Sequence, residues 1–369
     1  MGDSNHPTGV VLAEIVKANI PVRNGVVHLI QRPLMVVDTT VRDFLESFKG
    51  IEKEDGPVYK FYETIRDFGD DIMNTISYLR EVTLFAPSNE ALEEPGVKQM
   101  LQDKKRIREI LKLHYVKQKL TLDNIKDKSV SQVATAADRK KLYFNVVQGP
   151  RGNQTVTVEG GGVNATIITA NIAATNGIIH IIDRLLGVPY TTVLDKLRTD
   201  PMLNSTYFLG QRRSFNDQLN DTTKRFTYFA PHDDAWIRAG ATFPSAVKKL
   251  FMPEYSYHTK QILERHLVIA DQAYTMAKLR EMSNDTIKLT TIRDSLKIRI
   301  KEYGESYQLE WQGNKKIRVV RPDVECTNGI IHVIDTVFLK DSDVRVTGGA
   351  SLATLAPHLI MILIAKWQL

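Results

Sequence analysis

Residues 176–183 read Asn-Gly-Ile-Ile-His-Ile-Ile-Asp, and this octapeptide sets the period of the whole chain. It returns at 328–335 as Asn-Gly-Ile-Ile-His-Val-Ile-Asp, and a related form, Asn-Gly-Val-Val-His-Leu-Ile-Gln, occupies 24–31. Successive copies begin 152 residues apart. Solenoid and propeller repeats recur every ~20–50 residues, so a period of this length indicates a repeated domain.

Two further blocks lie between the copies of the octapeptide. Thr-Leu-Phe-Ala-Pro-Ser-Asn-Glu-Ala-Leu at 83–92 recurs at 227–236 as Thr-Tyr-Phe-Ala-Pro-His-Asp-Asp-Ala-Trp. Ile-Leu-Lys-Leu-His at 110–114 recurs at 262–266 as Ile-Leu-Glu-Arg-His. The residues that define the repeat are Phe85, Ala86, Pro87, His114, Asn176, Gly177, His180 and Asp183, and then Phe229, Ala230, Pro231, His266, Asn328, Gly329, His332 and Asp335.

The repeat divides the 369 residues of the chain into domains. We expect residues 1–37 to be the C-terminal remnant of a preceding domain, 38–189 and 190–340 to be complete domains, and 341–369 to be a tail. The length agrees, because one domain usually takes ~150 residues. Hydrophobic residues make up 43% and charged residues 25% of the chain, so each domain can bury a core.

Each complete copy begins with helical patterns and ends with strand patterns. Thr40 and Thr192 precede apolar residues at helical spacing and are predicted N-caps. Apolar residues alternate with polar ones at 142–146 and 296–300, which is typical of half-exposed strands. The octapeptide predicts a closing strand buried on both faces, entered through an Asn-Gly turn with positive φ. The order of elements favours an α+β fold over a doubly wound α/β fold.

Residues that would carry catalysis or hold a metal are not grouped in this sequence. The single cysteine, Cys326, excludes a disulfide framework and every multi-cysteine zinc pattern. His28, His180 and His332 each lie once per copy in an apolar strand, which is typical of a hydrogen-bonded structural histidine. We find no phosphate loop and no nucleophile elbow, so the sequence predicts neither an enzyme nor a cofactor. The net charge of +6 is modest and its basic clusters are scattered, which argues against nucleic acid as a partner.

These blocks, in this order and at this spacing, resemble the fasciclin-like domain family over about nine-tenths of the chain. The resemblance implies tandem domains, each a β-sandwich-like wedge surrounded by helices. It also implies an extracellular adhesion protein that binds the same protein on apposed cells. The likeness extends to insect neural-surface members with four such domains and a lipid anchor, which implies a role in axonal contacts.

The resemblance leaves a second class of function open, an extracellular matrix linker that binds collagen, integrin or heparan-type glycans. Matrix members of the family place a Tyr before the helix histidine in an integrin-linked motif, whereas this chain has Leu113 and Arg265 there. The basic segment 297–301 either binds heparan-type glycans or is an edge strand that lysine protects from aggregation. A third class, a hydrolase or a carrier of an acidic ligand, would require a pocket of convergent polar groups.

Five Asn-x-Ser/Thr sequons indicate a glycosylated, extracellular chain. They begin at Asn153, Asn164, Asn204, Asn220 and Asn284. Asn164 falls in a predicted strand, whereas the other four lie in polar stretches.

The two ends of the chain carry targeting information. The first residues lack the basic and apolar regions of a signal peptide, so we expect a fragment or an alternative start. Near the end, small residues precede the apolar segment 352–365, which is shorter than a spanning helix. This arrangement predicts a glycolipid-anchor signal cleaved near Gly348 or Gly349, with attachment to the outer leaflet. A membrane segment and an ordinary packed tail are the alternatives.

Overall fold

The computed structural model describes residues 11–344 except 12, 36, 49–55, 128, 150–153, 283–285 and 314. The chain forms two compact units, the first ending at Thr191 and the second beginning at Thr192, apart from Asp323–Thr327, which group with the first unit. We number helices and strands in chain order.

The first unit contains nine strands and six helices among the described residues. Its strands are β1 (Ile15–Val22), β2 (Gly25–Ile30), β3 (Val82–Pro87), β4 (Tyr115–Val116), β5 (Gln132–Ala134), β6 (Lys141–Gln148), β7 (Gln154–Gly160), β8 (Val163–Ala174) and β9 (Gly177–Ile182). Its helices are α1 (Val41–Glu46), α2 (Tyr59–Phe68), α3 (Asp70–Tyr78), α4 (Pro95–Met100), α5 (Lys104–Leu113) and α6 (Leu122–Lys126), with a 3-10 turn at Glu90–Leu92.

Strands β3 to β9 form one seven-stranded sheet in the order β4-β3-β9-β8-β7-β6-β5. The pair β3 and β9 is parallel, and the other five neighbouring pairs of this sheet are antiparallel. Every residue of β9 is buried, which confirms the prediction of a strand covered on both faces. Ile179 and Ile181 pack into a core shared with helices α1 to α5, whereas Ile182 packs with Leu142 and Phe144 in a second core. Strands β1 and β2 form a separate antiparallel hairpin.

The second unit repeats this arrangement. Its helices are α7 (Val193–Thr199), α8 (Asn204–Gln211), α9 (Asp233–Thr242), α10 (Pro244–Leu250), α11 (Ser256–His266) and α12 (Met276–Met282). Its strands are β10 (Arg225–Pro231), β11 (Leu267–Ala270), β12 (Ile287–Thr290), β13 (Ser295–Tyr303), β14 (Ser306–Trp311), β15 (Lys315–Cys326) and β16 (Gly329–Ile334). Short 3-10 segments occupy Arg212–Ser214, Asn216–Asn220, Pro253–Tyr255 and Asp341–Val344.

The sheet order of the second unit, β11-β10-β16-β15-β14-β13-β12, matches that of the first, and β10 and β16 are again parallel. Helices and a mixed sheet in each unit confirm the α+β prediction. Strand β13 pairs with β12 through Ser295–Ile298 and with β14 through Ile298–Tyr303. The strand is therefore not an edge along its whole length, but residues 299–301 of the segment 297–301 pair with β14 alone among the described residues.

Both predicted helix caps are present. The Thr40 hydroxyl accepts from the Asp43 N–H at 3.1 Å, and the Asp43 carboxylate accepts from the Thr40 N–H in return. In the second unit the Thr192 hydroxyl accepts from the Asp195 N–H at 3.2 Å. Each cap satisfies one of the backbone donors that a helix start leaves without an intrahelical partner.

The predicted Asn-Gly turn with positive φ is wrong. None of Asn176, Gly177, Asn328 and Gly329 has positive φ. Glycine is required for space instead, because a Cβ on Gly177 would lie 2.0 Å from the carbonyl oxygen of Val82. The same substitution at Gly329 would place a Cβ 2.5 Å from the Phe226 carbonyl oxygen. The closely spaced parallel strands therefore exclude a side chain at this position.

Candidate functional site

The parallel strand pair places the Phe of the Phe-Ala-Pro block beside the octapeptide histidine. Phe85 is paired in register with His180, and their ring centroids are 5.4 Å apart with nearly parallel planes. Phe229 and His332 repeat the pairing, also at 5.4 Å. The two sequence blocks are thus halves of one buried contact.

Both ring nitrogens of His180 form hydrogen bonds with backbone groups. Its Nδ1 accepts from the Asn171 N–H at 3.3 Å, and its Nε2 donates to the Leu120 carbonyl at 2.8 Å. Burial lowers the pKa of His180 to about 4 against its ordinary value of 6.5. His180 is therefore a neutral structural group with no ring nitrogen left for a substrate or a metal.

The backbone donor to His180 comes from a residue that the sequence interpretation missed. Asn171 has φ of 57°, in the left-handed region that Asn tolerates better than most residues. Asn19 in the β1–β2 hairpin has φ of 55° and donates its N–H to the Nδ1 of His28 at 3.1 Å. Asp323, nine residues before His332, has φ of 53°. The sequence does carry a signal for this backbone position, namely an Asn or Asp nine residues before each octapeptide histidine.

The second histidine of each unit joins a helix to the segment that follows the octapeptide. His114 Nδ1 donates to the Ile110 carbonyl at 2.9 Å, and its Nε2 accepts from the Leu186 N–H at 3.1 Å. His266 makes the same contacts with Ile262 at 2.7 Å and Phe338 at 2.9 Å. Burial lowers the pKa of His114 to about 4 and that of His266 to about 3.

The octapeptide asparagine holds the start of the unit's first helix. The side-chain oxygen of Asn328 accepts from the Val193 N–H at 2.9 Å, and its amide donates to the carbonyls of Leu219 and Asp221. Asn176 makes the equivalent three bonds, with Val41, Ile76 and Leu79 as its partners. Every polar atom of these two side chains is therefore used inside its unit.

The closing aspartate of the octapeptide binds the neighbouring strand. Asp183 accepts from the Thr166 N–H at 2.6 Å, and Asp335 accepts from the Arg318 N–H at 2.9 Å. These bonds join β9 to β8 and β16 to β15 beyond the regular ladder. Of the predicted repeat residues, the histidines, asparagines, glycines and aspartates are thus drawn together around the closing strand.

The chemistry of this region is that of a scaffold. Within the described residues, no group of three or more His, Cys, Asp and Glu side chains is arranged to hold a metal ion. Two open grooves, of about 560 and 590 Å³, lie instead on helices α11 and α5 and are lined by surface side chains such as Lys260 and Arg108. The two residues at the integrin-linked positions make contacts within their own units. Leu113 is buried, and Arg265 forms a bidentate ion pair with Asp343 at 2.7 and 2.8 Å.

The predicted modification sites lie in different surroundings. Asn204 and Asn220 are exposed, and Asn164 is half-buried on β8. Asn153, Asn284 and the anchor candidates Gly348 and Gly349 lie outside the described residues. None of the helices in the described ranges is long and apolar enough to cross a membrane.

Comparison with known proteins places this architecture. The sequence profile of the fasciclin domain matches residues 60–189 and 201–340, which together make up most of the chain. The chain belongs to the fasciclin domain family. Fasciclin-1 of Schistocerca americana is 57% identical over 378 residues, covering 100% of this chain and 56% of that protein. Fasciclin-1 of Drosophila melanogaster is 52% identical over 377 residues, covering 100% of this chain and 57% of that protein.

A solved structure of a fasciclin domain pair is similar to this chain. It is described as a FAS1 domain pair with a novel fold from the insect cell adhesion molecule fasciclin I. The match has a TM-score of 0.76 and 50% identity, and it covers 79% of this chain and 100% of that one. The chain itself spans little more than half the length of the two Fasciclin-1 relatives.

Proposed function

We propose that this chain is part of an extracellular adhesion protein that binds copies of itself on apposed cells, in neural contacts. The observation that carries the proposal is the similarity of both fasciclin domains to a domain pair described as part of an insect cell adhesion molecule. The 57% identity to Fasciclin-1 extends over the whole chain and supports the same function.

The use of the repeat residues supports binding rather than catalysis. The motif histidines and asparagines make hydrogen bonds inside their own units, so recognition falls to exposed side chains. Tyr78 is 86% exposed in the first unit and Ile237 is 70% exposed in the second. Exposed apolar residues of this kind contribute to weak contacts, and many weak contacts between two cells give strong adhesion through avidity.

Membrane attachment and glycosylation complete the proposal. We assign Asn204 and Asn220 as the best glycan acceptors, because both side chains are exposed. Attachment to the outer leaflet would come from the tail, with cleavage near Gly348 or Gly349. A glycolipid anchor leaves the two domains on the extracellular side.

A mixed-cell aggregation assay tests this function. Cells that display the chain behind a supplied signal peptide are mixed with differently labelled cells that do not display it. We expect clusters that contain displaying cells alone and that a phosphatidylinositol-specific phospholipase disperses. Mixed clusters, or no clusters, would overturn homophilic binding and favour a matrix linker that binds collagen or integrin.

Surface variants then locate the contact. We expect Tyr78→Ser or Ile237→Ser to reduce cluster size if that side chain lies in the interface. The exposed Lys98→Ser is the matched control on a charged surface. If neither apolar variant changes aggregation, the interface lies on other residues, and the conclusion of the mixed-cell assay stands.

A further inference from the structure

One face of the sheet in the second unit is strongly basic. Residues alternate along β12 to β15, so that Leu296, Ile298 and Ile300 are buried while the residues between them point outward. We call the outward cations of these four strands the basic sheet face. They are Lys288, Lys297, Arg299, Lys301, Lys316 and Arg318.

The strand register arranges these cations in rows. Lys297 is opposite Lys288, and Arg299 is opposite Glu310, which is opposite Lys316 in turn. In the next row Lys301 and Arg318 both face Gln308 from either side. Neighbouring strands are ~4.8 Å apart and alternate residues of one strand ~6.7 Å apart, so the cations form a regular grid on the sheet.

The carboxylates on this face leave a positive excess. Glu310 lies among the cations and accepts from Lys301 Nζ at 2.6 Å. The hydrogen bond from Lys301, with the charges of Lys301, Arg299 and Lys316, lowers the pKa of Glu310. Asp335 lies 3.8 Å from Arg318, and Glu302 and Glu305 lie at the turn at one end of the face. Apart from that turn, the basic sheet face therefore carries six cations and two carboxylates.

The fold does not require this charge. The corresponding outward residues on β6 to β8 of the first unit include one cation, Lys141. Their half-buried members are Lys141, Tyr143, Asn145, Thr157, Asn164 and Thr166. Edge protection does not account for the whole charge, because Lys316 and Arg318 lie on β15, which has a neighbouring strand on each side. The positive charge is a property of the second unit alone.

We propose that the basic sheet face binds a sulfated glycosaminoglycan chain. A grid of cations spread over an open sheet face suits a long, extended polyanion, whereas a single small anion would need an enclosed pocket. Arg299 and Arg318 match the planar, bidentate geometry of oxyanion groups, and the lysines add mobile point charges.

Two other polyanions fit this face less well. Single-stranded nucleic acid is held by several bases stacked on exposed aromatic rings. Tyr307 and Trp311 of β14 are buried, and Tyr303 at the end of β13 is the one exposed ring on these four strands. A lipid surface is usually met by charged residues together with exposed apolar ones, and the rows that hold Lys297, Arg299 and Lys301 expose none. Glycosaminoglycan binding is measured on the protein in solution, so the measurement does not depend on homophilic adhesion.

Heparin binding by the full chain tests the site. Titration calorimetry or surface plasmon resonance with a heparin oligosaccharide should show binding that weakens steeply as the salt concentration rises. The variant Lys288→Thr/Lys297→Thr/Lys316→Thr should bind at least tenfold more weakly, with a salt slope lowered by about three. Threonine is chosen because it suits an exposed strand position. Lys316→Glu alone provides a second, less invasive variant with the same expected direction.

A matched control removes three positive charges from another cationic surface of the same unit. Arg213→Gln/Lys260→Gln/Arg293→Gln changes the groove beside Tyr257 and should leave heparin affinity within about twofold. An equal loss in both triple variants would overturn the proposal, as would binding of a single-stranded DNA oligonucleotide or phosphatidylserine vesicles as tight as that of heparin. Cells that display the Lys288→Thr/Lys297→Thr/Lys316→Thr variant should still aggregate normally, which would separate this site from the adhesion function.

Discussion

Arg321 donates a hydrogen bond to the carboxylate of Asp200 inside the second unit, and both side chains are at most 1% exposed. Lys196 lies 3.8 Å from the same carboxylate and is 2% exposed. The residues 152 positions before Lys196 and Asp200 are Phe44 and Phe48, whose rings pack edge to face at 5.3 Å. Equivalent helices in the two domains are thus held by an ionic cluster in one case and by an aromatic pair in the other.

Asp200→Asn should destabilise the second unit by about 3–5 kcal/mol, because it leaves two buried cations without their carboxylate. Chemical unfolding followed by intrinsic fluorescence measures the change. Glu281→Gln removes an exposed partner of Lys278 and should cost less than about 1 kcal/mol. Equal effects of the two substitutions would show that the Asp200 cluster is not buried as described.

Gly177→Ala should destabilise the first unit by several kcal/mol, because the new Cβ would lie 2.0 Å from the backbone oxygen of Val82. Gly25 holds the same position in the first octapeptide copy, and no atom lies within 4 Å of the place that a Cβ would take there. Gly25→Ala should therefore be close to neutral in the same thermal unfolding experiment. A tolerated Gly177→Ala would contradict the close approach of β3 and β9.

Asn328→Ala should cost about 2–4 kcal/mol, because it leaves the Val193 N–H and two carbonyls without their partner inside the unit. Denaturant midpoints provide the measurement. Asn24, the exposed counterpart in the β1–β2 hairpin, is the control, and Asn24→Ala should shift the midpoint little. A small effect of Asn328→Ala would mean that water replaces these bonds.

Acid should destabilise both units through their buried histidines. An unfolded histidine takes up a proton below pH 6.5, whereas folded His114 and His180 do so only near a pKa of about 4 and His266 near about 3. The unfolded chain therefore binds more protons in this window, so stability is full above pH 6.5 and falls as the pH drops toward 4. Each histidine contributes on the order of 3 kcal/mol to this loss.

Urea unfolding at pH 7.5, 6.0, 5.0 and 4.5 tests the pH dependence. Carboxylates also titrate near the lower end, so the wild-type chain is compared with His114→Gln. The variant should be less stable at pH 7.5 and should lose less stability than the wild type between pH 7.5 and 5.0. Parallel curves for the two proteins would rule out His114 as a buried neutral group.

Features that depend on neighbours in the sequence were predictable. The 152-residue repeat, the caps at Thr40 and Thr192 and the alternation on β13 all follow from local spacing, and each is present. The family itself follows from the order of the repeated blocks. A helix cap joins residues three apart and a strand alternates every second residue, so the sequence carries both directly.

Features that join distant residues were decided by the tertiary structure. Parallel pairing of β3 with β9 places Phe85 against His180 and leaves no room for a side chain at position 177. The positive φ that was expected in the Asn-Gly turn occurs at Asn171. The sequence alone shows neither that Asp200 meets Arg321 nor that Lys316 shares a face with Lys297. These relationships depend on strand register and on which groups the core shields from water, and both are set by the packing of the whole domain.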